Sequence, residues 1–206
     1  MIVMGKKVPA LLLCGLCHFA SWRAKMWGVD LMRKLLSEDE IRAGVERLAG
    51  RLKADYGQRP LTIVGILTGS LIMLADLIRQ LDNPLRVALV RASQTPAENE
   101  RRRALVLDDK LLPNLAGRDV LVVDDIFDTG YTLVEVIAQL AKHGPKSIRS
   151  AVMLRKSGRC EVAVQPDYVA FEIPDEFVVG YGLDYNDRFR NLPYVAALEP
   201  ADLTRD

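Results

Sequence analysis

Asp124, Asp125 and Asp128 sit between the apolar run Val120–Val123 and Thr129-Gly130, and Thr132 adds a second hydroxyl. A strand ending in adjacent carboxylates, then turning through Thr-Gly into a helix, gathers free backbone N–H groups and hydroxyls at a helix N-terminus. That is a phosphate cradle. Gly130 permits close backbone approach, and the helix dipole favours an anion there by a few tenths to about 1 kcal/mol. No lysine followed by Ser or Thr comes after the glycine, which argues against a P-loop nucleotidase. Asp124 and Asp125 would repel a phosphate, so they must serve something else. A carboxylate is only an acceptor, and a pair at a strand end can hold the two hydroxyls of a ribose or position Mg²⁺ through oxygen ligands. Asp128, set apart on the loop, can exchange a proton with a bound group. The plainer alternative is two acids that end a strand and an Asp that caps the next helix.

The elements around this segment must hold it in place. Ser37 followed by Glu40 predicts a capping box, and Ile41, Val45, Leu48 and Leu52 recur at helical spacing until Gly57 and Pro60 stop the helix. Leu61–Leu67 is a short apolar run that predicts a strand buried on both faces, and Ser70–Leu81 predicts a helix. Leu85–Val90 is a second buried strand, Ser93–Arg103 is polar and reads as a mobile loop, and Ala104–Leu107 is a weak strand. After Val120–Val123 come a helix from about Thr132 to His143, then strands at Ile148–Leu154 and Tyr168–Phe171. Apolar strands alternating with helices predict an α/β fold: a parallel sheet with helices on both faces, and ligands at the carboxyl ends of its strands.

The run VLVVDDIFDTGYTL resembles the phosphoribosyl pyrophosphate signature of type I phosphoribosyltransferases, and its Asp128 resembles that of the hypoxanthine-guanine branch. A second block, Phe171–Asn186 followed by Phe189-Arg190-Asn191-Leu192-Pro193-Tyr194, is similar to the C-terminal purine hood of the bacterial members of that branch. The resemblance runs from about Leu35 to Leu198. It implies one phosphoribosyltransferase domain over residues 35–206, with a core of about 37–165 and a small purine-binding hood of about 166–198 closed by C-terminal and N-terminal segments. The implied activity is purine salvage by a pentosyltransferase: hypoxanthine, and guanine with it, joined to 5-phosphoribosyl 1-pyrophosphate to give IMP or GMP and pyrophosphate. A xanthine-preferring enzyme and an RNA-binding attenuator on the same fold are the alternatives.

The same resemblance implies roles for single residues. Leu67, Thr68, Gly69 and Ser70 fall where the family binds pyrophosphate, often through a non-proline cis peptide, and Arg190 would contact that pyrophosphate. Asp124 and Asp125 would hold the ribose diol and assist Mg²⁺, while the loop Ile126, Phe127, Asp128, Thr129, Gly130, Tyr131 and Thr132 would wrap the 5′-phosphate. Asp128 would take the purine N7 proton. Lys156 would donate to the 6-oxo group, although a lysine beside Arg155 can also be merely solvated. Phe177 would stack on the base, where an isolated aromatic is as readily a core residue, and the Val178 backbone would read the base edge. Asp184 would bind Mg²⁺. In place of the family's usual Ser-Tyr pair this chain has Ser93-Gln94, so closure of any lid would need other contacts, such as Arg101–Arg103.

Composition bounds what remains. In 206 residues, 28 basic and 27 acidic side chains leave a net charge of +1, so no global field draws the chain to nucleic acid or an anionic membrane. Anionic ligands must be held locally. Three cysteines make no disulfide scaffold and fit a reducing, cytoplasmic setting. Cys14-Gly-Leu-Cys17-His18 matches a c-type haem pattern, yet it lies in the apolar stretch Val8–Ala20 and His143 is the only other histidine. Residues 1–34 form an apolar leader open to three readings: a signal peptide, a packed helix, or an extension upstream of a later start at Met26 or Met32. Small-molecule substrates and a homo-oligomer, dimer or tetramer, are the expected partners.

Overall fold

The computed structural model describes residues 32–95, 104–108 and 112–199. Most of the leader, and Arg101–Arg103, lie outside these. Helix α1 (Glu38–Tyr56) begins as its sequence predicts, because the Glu40 N–H donates to Ser37 Oγ while Glu40 Oε2 accepts from the Ser37 N–H. Each partner satisfies an amide donor that the first helical turn leaves open. Ile41, Val45, Leu48 and Leu52 are buried along one stripe, each contributing about 1.5–3 kcal/mol of apolar burial.

The main sheet has six strands in the order β4-β3-β2-β5-β6-β7, formed by β2 (Leu61–Leu67), β3 (Leu85–Thr95), β4 (Ala104–Asp108), β5 (Asp119–Phe127), β6 (Ser147–Lys156) and β7 (Tyr168–Ile173). β3, β2, β5, β6 and β7 run parallel, and β4 is an antiparallel edge. Side-chain alternation on β5 sends Leu121 and Val123 into a core with α1 and α2 (Leu71–Ile78), and Val120 and Val122 into a second core with α3 (Tyr131–Ala141). Helices therefore cover both faces, as a parallel sheet requires. No helix among the described residues is long and apolar enough to cross a membrane.

A second, antiparallel sheet has the order β1-β9-β8, built from β1 (Arg33–Leu36), β8 (Val178–Val179) and β9 (Val195–Ala197). The two ends of the described chain thus meet in the hood, and β1 starts two residues inside the stretch assigned to the leader.

Other boundaries differ from the sequence expectation for identifiable reasons. β7 lies in the main sheet, paired with β6 from Ala151↔Tyr168 to Lys156↔Ile173, so the hood starts after it and not at about 166. β3 continues to Thr95 through the supposed loop, because Ser93, Gln94 and Thr95 pair with Val106, Leu105 and Ala104, and ladder bonds need no apolar side chains. Residues 96–103, the remainder of that loop, lie outside the described residues. α2 stops at Ile78, and Leu81 is buried beyond its end.

Candidate active site

Parallel register brings the carboxyl ends of β2, β5 and β6 to one edge, with Gly65 opposite Val123 and Phe127 opposite Arg155. A cleft of about 320 Å³ opens there, lined by the ends of β2 and β5, the first residues of α3, and Asp184 and Arg190 from the hood. Leu67, Thr68, Gly69, Asp124, Asp125, Ile126, Phe127, Asp128, Thr129, Gly130 and Thr132 all line it. β5 extends through Phe127, so the paired acids lie within the strand; the expected end at Val123 was short because hydropathy falls there while the ladder does not.

The Leu67–Thr68 peptide is cis, as the family resemblance implied. Gly69 follows where nothing larger fits: a Cβ there would lie 1.5 Å from Asp125 Oδ2. On its other side the Gly69 carbonyl oxygen occupies the place a Cβ of Gly182 would take, at 2.1 Å. Three segments, one after β2, one ending β5 and one from the hood, therefore touch at a point that only glycines allow.

Asp124 is buried and accepts from the Asp125 N–H at 3.0 Å; Asp125 Oδ1 accepts from the Ile126 N–H at 2.9 Å. Burial, and then the charge of Asp125, push Asp124 well above the usual carboxylate range. Burial raises Asp125 too, despite hydrogen bonds from Asp124 and the Ile126 amide and the field of Arg190. Two adjacent carboxylates short of compensating charge suit a hard cation or a diol. Among the described residues no three His, Cys, Asp or Glu side chains form a metal cage. Asp184 Oδ1 is engaged by Arg190 Nη2 at 2.8 Å, and Arg190 Nη1 donates to the Gly182 carbonyl at 2.8 Å.

Asp128 is different in kind. Lys156 Nζ lies 3.4 Å from its Oδ2 and Arg159 Nε 2.9 Å from its Oδ1. Burial raises its pKa, but the Arg159 hydrogen bond and the Lys156 charge outweigh it and hold the carboxyl below its usual range. Asp128 thus joins the phosphate-type loop to the residues assigned to a base. Of these, Lys156 is nearly buried at the end of β6, Phe177 is exposed and meets the Tyr185 ring edge-on at 5.5 Å, and Val178 is buried in β8. None of the three lines the cleft itself.

Two expected residues point elsewhere. The Ser70 hydroxyl is buried and donates to the Ile66 carbonyl at 2.5 Å, and Tyr131 is exposed outside the cleft, one helical step of about 100° from Thr132. Sequence reasoning missed Arg159 and Asp175, which complete the charge group around Asp128 and Lys156. An arginine three residues after Lys156, across the turn Ser157-Gly158, was the available signal.

Residues 33–186 match the phosphoribosyl transferase domain family. The chain is 37% identical over 170 residues to a hypoxanthine-guanine phosphoribosyltransferase of Staphylococcus epidermidis, covering 82% of this chain and 95% of that one. It is 36% identical over 171 residues to a bifunctional protein TilS/HprT of Listeria innocua, of whose length it spans 26%. A crystal structure of a hypoxanthine phosphoribosyltransferase from Staphylococcus aureus superposes with a TM-score of 0.81 at 34% identity, covering 87% of this chain and 98% of that chain.

Proposed function

Because the chain belongs to the phosphoribosyltransferase family, on the branch of the hypoxanthine-guanine enzymes, we propose that it makes purine nucleotides by salvage. It joins hypoxanthine or guanine to 5-phosphoribosyl 1-pyrophosphate. The observation that carries this reading is the bridge at Asp128: one carboxylate belongs both to the Thr-Gly loop at the N-terminus of α3 and to Lys156.

In the reaction, N9 of the base bonds to C1′ of the ribose while the C1′–O bond to pyrophosphate breaks and its electron pair leaves with pyrophosphate. As that bond forms N7 becomes more acidic, and its proton passes to Asp128, which the two cations keep ionised. Lys156 turns from Asp128 to donate to the 6-oxo oxygen, Phe177 stacks on the ring, and the Val178 backbone faces the base edge. Backbone amides of Thr129–Thr132 hold the 5′-phosphate at the positive end of α3. Leu67, Thr68 and Gly69 present backbone to the pyrophosphate, with Ser70 fixing the turn, and Arg190 takes a phosphate oxygen. Asp124, Asp125 and Asp184 would hold Mg²⁺, which when bound neutralises charge on the pyrophosphate. The chain from Arg33 onward, whose β1 closes on β9, acts as one catalytic domain in a cytoplasmic homo-oligomer.

Purified full-length protein given hypoxanthine, magnesium and the phosphoribosyl donor should form IMP, with guanine competing and xanthine competing less. Absence of IMP sinks the assignment. Asp128→Ala should lower kcat by roughly 10²–10⁴-fold, the span of general acid–base contributions; undiminished turnover removes Asp128 from the role.

A further inference from the structure

Asp128 carries one cation on each carboxylate oxygen, and the two contacts are unequal. Arg159 Nε is at 2.9 Å from Oδ1, within the range of a charge-assisted hydrogen bond, whereas Lys156 Nζ is at 3.4 Å from Oδ2. Asp175, just beyond β7, faces both cations, at 3.5 Å from Lys156 and 3.7 Å from Arg159. Two acids and two bases from three segments thus alternate in a ring.

The turn that bears Arg159 is pinned at both ends. The Ser157 N–H donates to the Ile173 carbonyl at 2.9 Å, fixing the turn to β7, and the Glu161 N–H donates to the Thr129 carbonyl at 3.0 Å, fixing it to the loop below α3. Arg159 is therefore mounted on a turn tied to the loop whose carboxylate it grips.

We propose that Arg159 is a positioning residue for the transfer: it anchors Asp128 through Oδ1, so that Oδ2 stays aimed at the purine when Lys156 leaves it for the 6-oxo group. The inference rests on the reading of Asp128 as acceptor of the N7 proton. Without Arg159 the departure of Lys156 would strip Asp128 of its last ionic partner among the described residues, and a carboxylate turns readily about its terminal torsion. Asp175 steadies Lys156 from the far side, at 3.5 Å. Among the described residues Lys156 and Arg159 are the charged groups facing Asp128, with Asp175 beyond both of them and Glu161 behind Arg159.

The test is steady-state kinetics of the full chain against pH, with hypoxanthine and the phosphoribosyl donor varied separately. Arg159→Gln should lower kcat roughly tenfold, move the acid limb of kcat/KM for hypoxanthine up by about one pH unit, and leave KM for the donor unchanged. Arg159→Lys should return the limb close to its original place. An unmoved limb with full kcat in Arg159→Gln, a loss confined to the donor KM, or Arg159→Lys behaving as Arg159→Gln would each overturn the proposal. Asp128→Asn separates the two levels: full turnover in that variant overturns the acceptor reading itself, whereas an impaired Asp128→Asn beside an unaffected Arg159→Gln overturns only the role of Arg159.

Discussion

β5 carries acids at both ends, and the two ends treat them oppositely. Asp119, at the amino end, is almost wholly buried yet satisfied: Ser147 Oγ donates to one oxygen and Arg59 Nη1 lies 3.3 Å from the other. Asp124, five residues on, is equally buried but has no ion-pair partner among the described residues, and its neighbour is another carboxylate. Around Asp119 the charged groups pair with one another, with Arg59 and Arg149 stacked over the Tyr56 ring and Asp55 bonded to Arg149 and Tyr168, and only the Tyr56 hydroxyl is buried without a hydrogen-bond partner among the described residues. Around Asp124 the groups leave a cleft. A buried charge that is compensated within the fold destabilises when its partner is lost, and one left uncompensated is a cost that a ligand can relieve.

The largest effect should come from spoiling the functional end by sterics. Gly69→Ala places a methyl 1.5 Å from Asp125 Oδ2, so either the turn after β2 or the carboxylate must move. Misplacement on the scale of 1 Å should cost roughly 10²-fold in kcat/KM, and the overpacking about 1–3 kcal/mol in stability. Activity assays and denaturant melts read the two losses; wild-type kinetics would show that the contact is dispensable. Next in size is Asp124→Asn, which removes a charge that resists burial. Its kcat/KM for the phosphoribosyl donor should fall at least about tenfold, the worth of one charge-assisted contact, while its melting temperature holds or rises. A clear drop in melting temperature would mean that Asp124 supports the fold after all.

How much of this division could be read in the sequence depends on whether the signal is local. Ser37 and Glu40 meet within one helical turn, and LTIVGIL is apolar on both faces between Pro60 and Thr68-Gly69, so α1 and β2 were legible almost to the residue. The cleft-lining acids Asp124, Asp125 and Asp128 were legible too, because Asp124 to Gly130 are consecutive. Where polar residues continue a ladder, as at Ser93 to Thr95 or Asp124 to Phe127, hydropathy ends a strand that backbone pairing carries on. The contacts that complete the site are long-range: Arg159 reaches Asp128 across 31 positions, and the pinning of its turn to Thr129 and Ile173 is backbone geometry without a composition signature. Pairing of β1 with β9 spans nearly the whole described chain, and nothing in Arg33–Leu36 marks it.

The amino end should respond in the reverse sense. Asp119→Ala should leave kcat and both KM values unchanged and cost about 1–2 kcal/mol, not the larger figure for breaking a fully buried pair. Arg59 is half-exposed and keeps bonds to the Asp55 and Tyr56 carbonyls. A melting temperature lower by about 2–4 °C per kcal/mol checks this, and altered kinetics would break the separation between the ends.

The smallest and most specific effect is one of pH. At the same end, the Tyr168 hydroxyl, followed by Arg149, holds Asp55 below its ordinary carboxylate value in spite of some desolvation. A depressed folded-state pKa means that the unfolded chain takes up the proton first as pH falls. The contribution of Asp55 to stability is therefore complete above the unfolded value of about 3.9 and disappears as pH drops through the folded one. Asp55→Asn should melt slightly below the wild type at neutral pH, and the gap should close in acid as the wild-type carboxyl itself becomes neutral. A gap that stays constant down through that window would show that Asp55 acts through its shape and hydrogen bonds and not its charge, and the amino end would then lose one of the ionic links that set it apart from the cleft.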